Sequence, residues 1–248
     1  MNSLLKTLAS LIVLAFIIAT PALAGPPYIT DDPQPTDHQH YEIYAFTAGT
    51  TTMNGISGQT GIDFNYGGAE NLQLTMVLPA GYDRPRGGPN VIGFGNIELA
   101  AKYRFLRQND FGLDVAVFPR LFLPTNSDSA LGSRHAALFV PMFAQKDWGH
   151  WSAFGGGGCT INRGGNSRDF CKMGLVVADR IVPELQLGVE VFHLTPSEEG
   201  GKPSTGIGFG AIYDLNQRYH VIAWAGPGIQ HADETNQMSW YAALQFTY

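Results

Sequence analysis

Stretches of about ten residues in which apolar and polar side chains alternate, separated by turn residues, constrain this chain more than any other feature. In residues 70–79, Leu72, Leu74, Met76 and Leu78 alternate with Asn71, Gln73 and Thr75. In 96–105, Ile97, Leu99, Ala101, Tyr103 and Phe105 oppose Asn96, Glu98, Lys102 and Arg104. The same pattern sets Leu113, Val115, Val117, Leu121 and Leu123 against Asp114 and Arg120, and Leu185, Leu187, Val189 and Val191 against Gln186 and Glu190. It recurs in 206–213 against Gly206, Gly208 and Gly210, and in 239–248 against Ser239, Tyr241, Gln245 and Thr247. A period of two sorts side chains onto opposite faces of an extended strand. Weaker candidates at 41–52, 58–66, 136–145, 151–158, 171–178 and 219–225 bring the total to about twelve. That number is even and each length is near the 9–11 residues of a tilted membrane-spanning strand.

The connections between these strands are unequal. Those at 67–69, 107–110, 147–149, 179–184 and 214–218 are tight; those at 79–93, 124–133, 160–169, 195–203 and 227–237 are long. Only the connection near 53–56 breaks the pattern of short turns at one end and long loops at the other, which is that of an outer-membrane barrel.

The amino terminus predicts export. Lys6 precedes an apolar run from Leu8 to Thr20, and Pro21-Ala22-Leu23-Ala24 supplies an A-x-A cleavage site, so residues 1–24 read as a signal peptide. No later stretch offers 18 uninterrupted apolar residues for a transmembrane helix. An exported chain without a helical anchor is either soluble outside the cytoplasm or an outer-membrane barrel. Charged residues make up 15% of the chain, below the roughly 25% usual for soluble domains. The net charge of −6 and the absence of a basic stripe argue against nucleic acid as a partner.

Alternation alone leaves two foldings open. In a soluble sandwich the apolar faces pack inward. In a membrane barrel they meet lipid, the polar faces line a lumen, and closure satisfies every backbone N–H and C=O. Aromatics near strand ends favour the second, as interfacial girdles do: Tyr41, Tyr44, Tyr66, Tyr82, Tyr103, Trp148, Trp151, Tyr213, Tyr219, Trp240 and Tyr248. The last strand ends on Tyr248, which resembles the assembly signal read by the barrel-assembly machinery. The expected fold is therefore all-β: a closed antiparallel transmembrane barrel of about twelve strands over residues 40–248, preceded by an extended arm.

The barrel reading assigns Asp63, Asn65, Gln73, Glu98, Lys102, Arg104, Asp114, Arg120 and Glu190 to the lumen and solute pathway. The arm, residues 25–39, holds four prolines, which preclude helix or central strand. Its Asp31, Asp32 and Asp37, with His38 and His40, suggest either a flexible acidic segment or a cation site, the former preferred. A third possibility is a plug folded into the lumen, with the acidic residues paired to Lys102, Arg104 and Arg120. Cys159 and Cys171, the only cysteines, flank a loop in an exported chain and are expected to bridge, for about 3 kcal/mol on the chain-entropy model. No metal site or cofactor is expected. Pro119 and Pro141 lie in neighbouring strands, as bulges or, less simply, as a seam open to lipid. The glycine run 155–158 lacks the Lys-Ser/Thr and helix of a phosphate loop and reads as flat strand that leaves lumen space or admits a bulky neighbour.

Residues 26–44 (PPYITDDPQPTDHQHYEIY), 93–105 (GFGNIELAAKYRF), 139–149 (FVPMFAQKDWG) and 154–158 (FGGGG) resemble the outer-membrane proteins named for the meta-cleavage pathway of phenol degradation. The similarity covers nearly all of the chain after residue 24, and its most specific part is the Thr-Asp-Asp-Pro-x-Pro arm. The resemblance implies a barrel channel or transporter for small solutes, some of its members being encoded beside aromatic-degradation genes, and brings no agreed set of binding residues. The expected partners are outer-membrane lipid, the assembly machinery and a small solute, in the outer membrane of a Gram-negative bacterium after cleavage near Ala24. The alternatives are a structural or adhesive barrel, and a barrel lipid hydrolase hinted at only by Ser133-Arg134-His135. No G-x-S-x-G or H-E-x-x-H motif accompanies that pair.

Overall fold

The computed structural model describes residues 27–163 and 167–248; the expected signal peptide lies outside them. Fifteen strand segments follow in order: β1 (Tyr41–Thr52), β2 (Gly55–Ala69), β3 (Leu72–Pro85), β4 (Val91–Phe94), β5 (Ile97–Leu106), β6 (Asp114–Val117), β7 (Arg120–Leu123) and β8 (Ala137–Trp148). Then come β9 (Trp151–Asn162), β10 (Phe170–Val182), β11 (Leu185–Leu194), β12 (Ser204–Asp214), β13 (Tyr219–Gly226), β14 (Gly228–Gln230) and β15 (Met238–Thr247). They build twelve staves, because β4 and β5, β6 and β7, and β13 and β14 are each one stave with a break.

Two of the breaks have a proline cause. Pro119 and Pro227 have no N–H to give the ladder, yet their carbonyls still accept from Ala101 and Ile207 across the seam, at 3.2 and 3.1 Å. Pro119 and Pro141 do lie on neighbouring strands: Phe118 N–H donates to the Pro141 carbonyl at 3.1 Å. The β8–β9 ladder runs through Pro141 opposite Gly158 without a register shift.

Closure is complete. β1 pairs antiparallel with β15 from Glu42↔Thr247 to Thr51↔Met238, and Tyr41 and Tyr248 exchange backbone hydrogen bonds of 2.7 and 3.0 Å. Both ends of the described barrel therefore sit at the rim with the tight turns. A sheet closed this way leaves no edge unpaired, the condition for strands in lipid.

The faces decide between lipid and water. Leu74, Leu99 and Leu187 are 47%, 41% and 42% exposed, and outward Val140, Met142, Leu175, Val191, Phe209, Val221 and Leu244 are exposed as well. Soluble monomers do not carry apolar surface around their whole girth. Aromatics ring the tight-turn rim: Tyr103, Trp148, Trp151, Tyr213, Tyr219 and Tyr248 are all exposed there. Tyr44 does not belong to this girdle, contrary to the sequence expectation. It faces inward, 4% exposed, and donates its hydroxyl proton to Glu42 at 2.8 Å.

The interior is less uniformly polar than alternation implies. Phe46, Phe118, Phe139, Phe143, Phe154, Phe192 and Trp224 are all buried, and Tyr44, Phe46, Ile212, Ile222 and Ala243 form one apolar cluster. β12 makes room for some of these rings. A Cβ at Gly206 would stand 2.3 Å from the Phe192 ring, and one at Gly208 2.2 Å from the Trp224 indole. The glycine run in β9 corrects another expectation. A Cβ on Gly156 would lie 2.1 Å from the Met142 carbonyl oxygen, and one on Gly158 2.2 Å from that of Val140. What those glycines admit is the neighbouring strand's backbone, not lumen space or a bulky side chain. Beyond them, Cys159 and Cys171 sit directly opposite each other in the β9–β10 register and are joined by the expected disulfide.

Candidate functional site

The arm is not a free acidic segment. From Pro27 to Gln39 it runs inside the barrel and leaves at the tight-turn rim. Near its inner end, Tyr28 lies over two more glycines: a Cβ at Gly188 would be 2.2 Å from its hydroxyl, and one at Gly210 2.5 Å from its ring. Tyr28 also meets Phe154 edge to face at 5.7 Å. The Ile29 and Thr30 N–H groups donate to the two Glu190 carboxylate oxygens at 3.1 and 2.6 Å. Thr36 donates its N–H to Gln73 Oε1 at 2.8 Å. Gln39 N–H then donates to the Gly67 carbonyl at 2.8 Å, where the chain turns into β1. With Pro27, Pro33 and Pro35 the segment satisfies few of its own backbone groups, so side chains of the barrel wall supply acceptors.

The centre of the contact is ionic. Asp31 pairs with Lys102 at 3.1 Å and with the Arg120 guanidinium, and Asp32 lies 3.6 Å from the same Lys102. Burial raises the Asp31 carboxyl, but the two cations outweigh it and hold it down at about 2. Asp32 has no exposed surface and, among the described residues, shares its one paired cation with Asp31; burial, with Asp31 adding to it, pushes its carboxyl up to about 7. Both cations also lie against one aromatic face: Lys102 Nζ is 4.8 Å and Arg120 Cζ 4.1 Å from the Phe118 ring centre. Gln34 completes the set. Its Nε2 donates to Asp114 at 2.9 Å, and its Oε1 accepts from Arg104.

Each residue assigned to the lumen by sequence faces inward, and the arm brings them into one network. Gln73, Lys102, Arg104, Asp114, Arg120 and Glu190 touch the arm directly. Asn65 accepts from Gln73 at 2.7 Å and donates to Asp63 at 2.9 Å, and Glu98 lies 3.5 Å from Arg120. Two expected pairings differ. Arg104 pairs with Asp114, at 3.6 Å, and meets the arm through Gln34 instead of a carboxylate. Asp37 joins no ion pair among the described residues; its carbonyl accepts from His40 N–H at 3.0 Å. Sequence reasoning missed Glu42, Lys172 and Tyr241, which line the same space. Glu42 and Lys172 lie on strands whose two faces are similar in polarity, so alternation does not point to them; Tyr241 falls on the polar face of the clear alternation in 239–248, a signal that places it in the lumen.

The arm lies between two spaces. A cavity of about 610 Å³ is lined by Asp31, Phe118, Arg120, Lys172, Trp224 and Tyr241, among others. A smaller one of about 380 Å³ lies among Arg104, Arg107, Gln108, Asp110, Asp114 and Asp147 at the tight-turn end. Gln34 borders both. At the other mouth the loop holding the helical turn Ser129–Leu131 folds inward, with Leu131 against Gly81 and Gly93. In the Ser133–His135 pair, the Ser133 hydroxyl accepts the His135 backbone N–H at 3.1 Å, a local turn and no hydroxyl–imidazole bond.

No curated protein matches this chain. Among solved structures, it is similar to the COG4313 outer membrane channel from Pseudomonas putida F1, at a TM-score of 0.69 and 13% identity over 90% of this chain and 98% of that one. The β-domain of the Bordetella autotransporter BrkA follows at 0.53, also 13% identical, over 84% and 98%. At these identities the likeness establishes the fold, that of an outer-membrane β-barrel. The model of the family described as "Putative MetA-pathway of phenol degradation" matches residues 31–246. That match runs from the Asp31 of the docked arm to within two residues of the terminal Tyr248, and the chain belongs to this family.

Proposed function

We propose that this protein is an outer-membrane channel for small solutes, shut at rest by its own N-terminal arm. In this reading the chain is exported, loses residues 1–24 near Ala24, and enters the outer membrane of a Gram-negative bacterium through recognition of its C-terminal strand. The observation that carries the reading is the position of the arm, which stands between the 610 Å³ cavity and the 380 Å³ vestibule with Gln34 bordering both. Its hold is polar and ionic, and such contacts exchange readily for water or solute. A lumen whose wall combines Phe118, Trp224 and Tyr241 with Arg120 and Lys172 suits amphipathic or aromatic compounds, which agrees with the family's description.

Flux into proteoliposomes tests this. Benzoate is expected to enter vesicles holding the folded protein faster than protein-free vesicles, and a chain lacking residues 25–39 is expected to speed entry further. Equal rates in all three preparations would remove the channel reading and favour a structural or adhesive barrel.

A further inference from the structure

The arm does more than obstruct. Asp31 presents both carboxylate oxygens to two cations, Oδ1 to Lys102 at 3.1 Å and Oδ2 to Arg120. The two cations share the Phe118 ring, which is 4% exposed. The Arg120 Nε is buried and has no hydrogen-bond partner among the described residues, so this guanidinium keeps a donor in reserve. Around the carboxylate opens the 610 Å³ cavity, within the range of small-ligand sites and faced with aromatic rings on the side of Tyr44, Phe46 and Trp224. A carboxylate held by an ammonium, a guanidinium and an aromatic face, next to a cavity with aromatic rings on one side and polar groups on the other, is the arrangement a bound organic acid would adopt.

We propose that Asp31 occupies a carboxylate-binding site belonging to the channel's cargo, a small aromatic or apolar monocarboxylate, and that cargo and arm compete for Lys102 and Arg120. The proposal rests on the channel reading and narrows its substrate class. The charges explain the selectivity. A neutral phenol displacing Asp31 and its arm would leave Lys102 buried without a counter-ion and Arg120 with Glu98 alone, whereas a carboxylate replaces what it removes. A cationic amine is repelled by both. A dianion is disfavoured, because Glu98 stands 3.5 Å from Arg120 and Asp63 lines the same cavity. Lys172, also at the cavity wall, adds a third cation for the acid to meet. Once the arm leaves, Lys102 has no carboxylate partner among the described residues. The vacated site is therefore prepared for an anion.

The test is equilibrium binding to the full chain in lipid nanodiscs, followed by tryptophan fluorescence or calorimetry, with benzoate, benzyl alcohol and benzylamine as probes. Benzoate is expected to bind saturably. Arg120→Gln is expected to weaken it at least tenfold, and Asp31→Asn to tighten it at least tenfold by removing the competitor. Binding of benzyl alcohol should be weak and indifferent to Arg120→Gln. Equal benzoate affinity in wild type and Arg120→Gln, or benzyl alcohol binding as tightly as benzoate, would overturn the proposal. If Asp31→Asn does not fold, the unaltered protein supplies a second measurement. Benzoate should accelerate amide hydrogen exchange at Ile29 and Thr30, and benzyl alcohol should not; no acceleration by benzoate would overturn the proposal. Binding is read without flux, so the two readings fail separately. Binding at Arg120 without passage of any solute would refute the channel; passage without such binding would refute the carboxylate site.

Discussion

Replacing Glu190 tests how the arm is held. This side chain has no exposed surface, and its two oxygens accept the Ile29 and Thr30 N–H groups at 3.1 and 2.6 Å. Glu190→Ala strands those two donors, one of them on fully buried Thr30. A buried donor left unmet costs about 1–3 kcal/mol. With Ile29 only half-buried, the docked arm should lose about 2–4 kcal/mol, so the ratio of undocked to docked arm rises roughly 30- to 1,000-fold. Glu190→Gln keeps one acceptor and the side-chain volume, and should cost about 1 kcal/mol. The barrel itself should tolerate both changes, because each removes a buried carboxylate and leaves the β11 ladder intact. The assay is single-channel recording in planar bilayers, with the gel shift between unheated and boiled samples as the folding control. The expected order of open probability is wild type, then Glu190→Gln, then Glu190→Ala. Equal open probabilities in three equally folded proteins would refute the claim that these hydrogen bonds hold the lumen closed.

Leu187→Arg places a cation on the lipid face and should cost about 2–4 kcal/mol if the residue sits near the bilayer midplane, read as a lower temperature for loss of the folded gel band. Gly208→Ala puts a methyl 2.2 Å from the Trp224 indole, and overpacking of this kind costs about 1–3 kcal/mol by the same readout. Replacing Cys159 and Cys171 together by serine should remove about 3 kcal/mol by opening the loop between β9 and β10, and reductant should reproduce the effect in wild type. Arm docking should also depend on pH. Asp31, held at about 2 against an ordinary 3.8, contributes fully above pH 4, and its contribution is lost as pH falls towards 2. Asp32, raised to about 7, is docked most favourably when protonated, so its contribution is present below pH 4 and lost as pH rises through 7. Open probability should therefore rise from pH 5 to pH 8, and Asp32→Asn should flatten that rise.

All twelve staves were legible in the sequence, but not equally. The strands of 70–79, 96–105 and 185–191 alternate cleanly because their inward residues, such as Gln73, Lys102 and Glu190, reach polar partners on the arm. The strands of 136–145 and 219–225 carry apolar residues on both faces: Leu138, Val140 and Met142 outward, Phe139 and Phe143 inward; Val221 outward, Ile222 and Trp224 inward. There a period of two disappears although the strand is regular. The aromatic half of the lumen was hidden for that reason. The arm's charges were legible too, and so was their complement on the wall. Its course was not, because it depends on Gly188 and Gly210 meeting Tyr28 and on Gly174 lying against Thr30. These are contacts between segments more than a hundred residues apart, and no local pattern reports them.

The most direct measurement is the single-channel conductance of the intact chain beside that of a chain lacking residues 25–39, both shown to be folded by their heat-dependent gel migration. A barrel with greasy outer walls and a lumen stoppered by its own amino-terminal strand should give rare, small openings when intact and steady, larger current steps once the stopper is cut away. Two indistinguishable traces from properly inserted proteins would contradict this account.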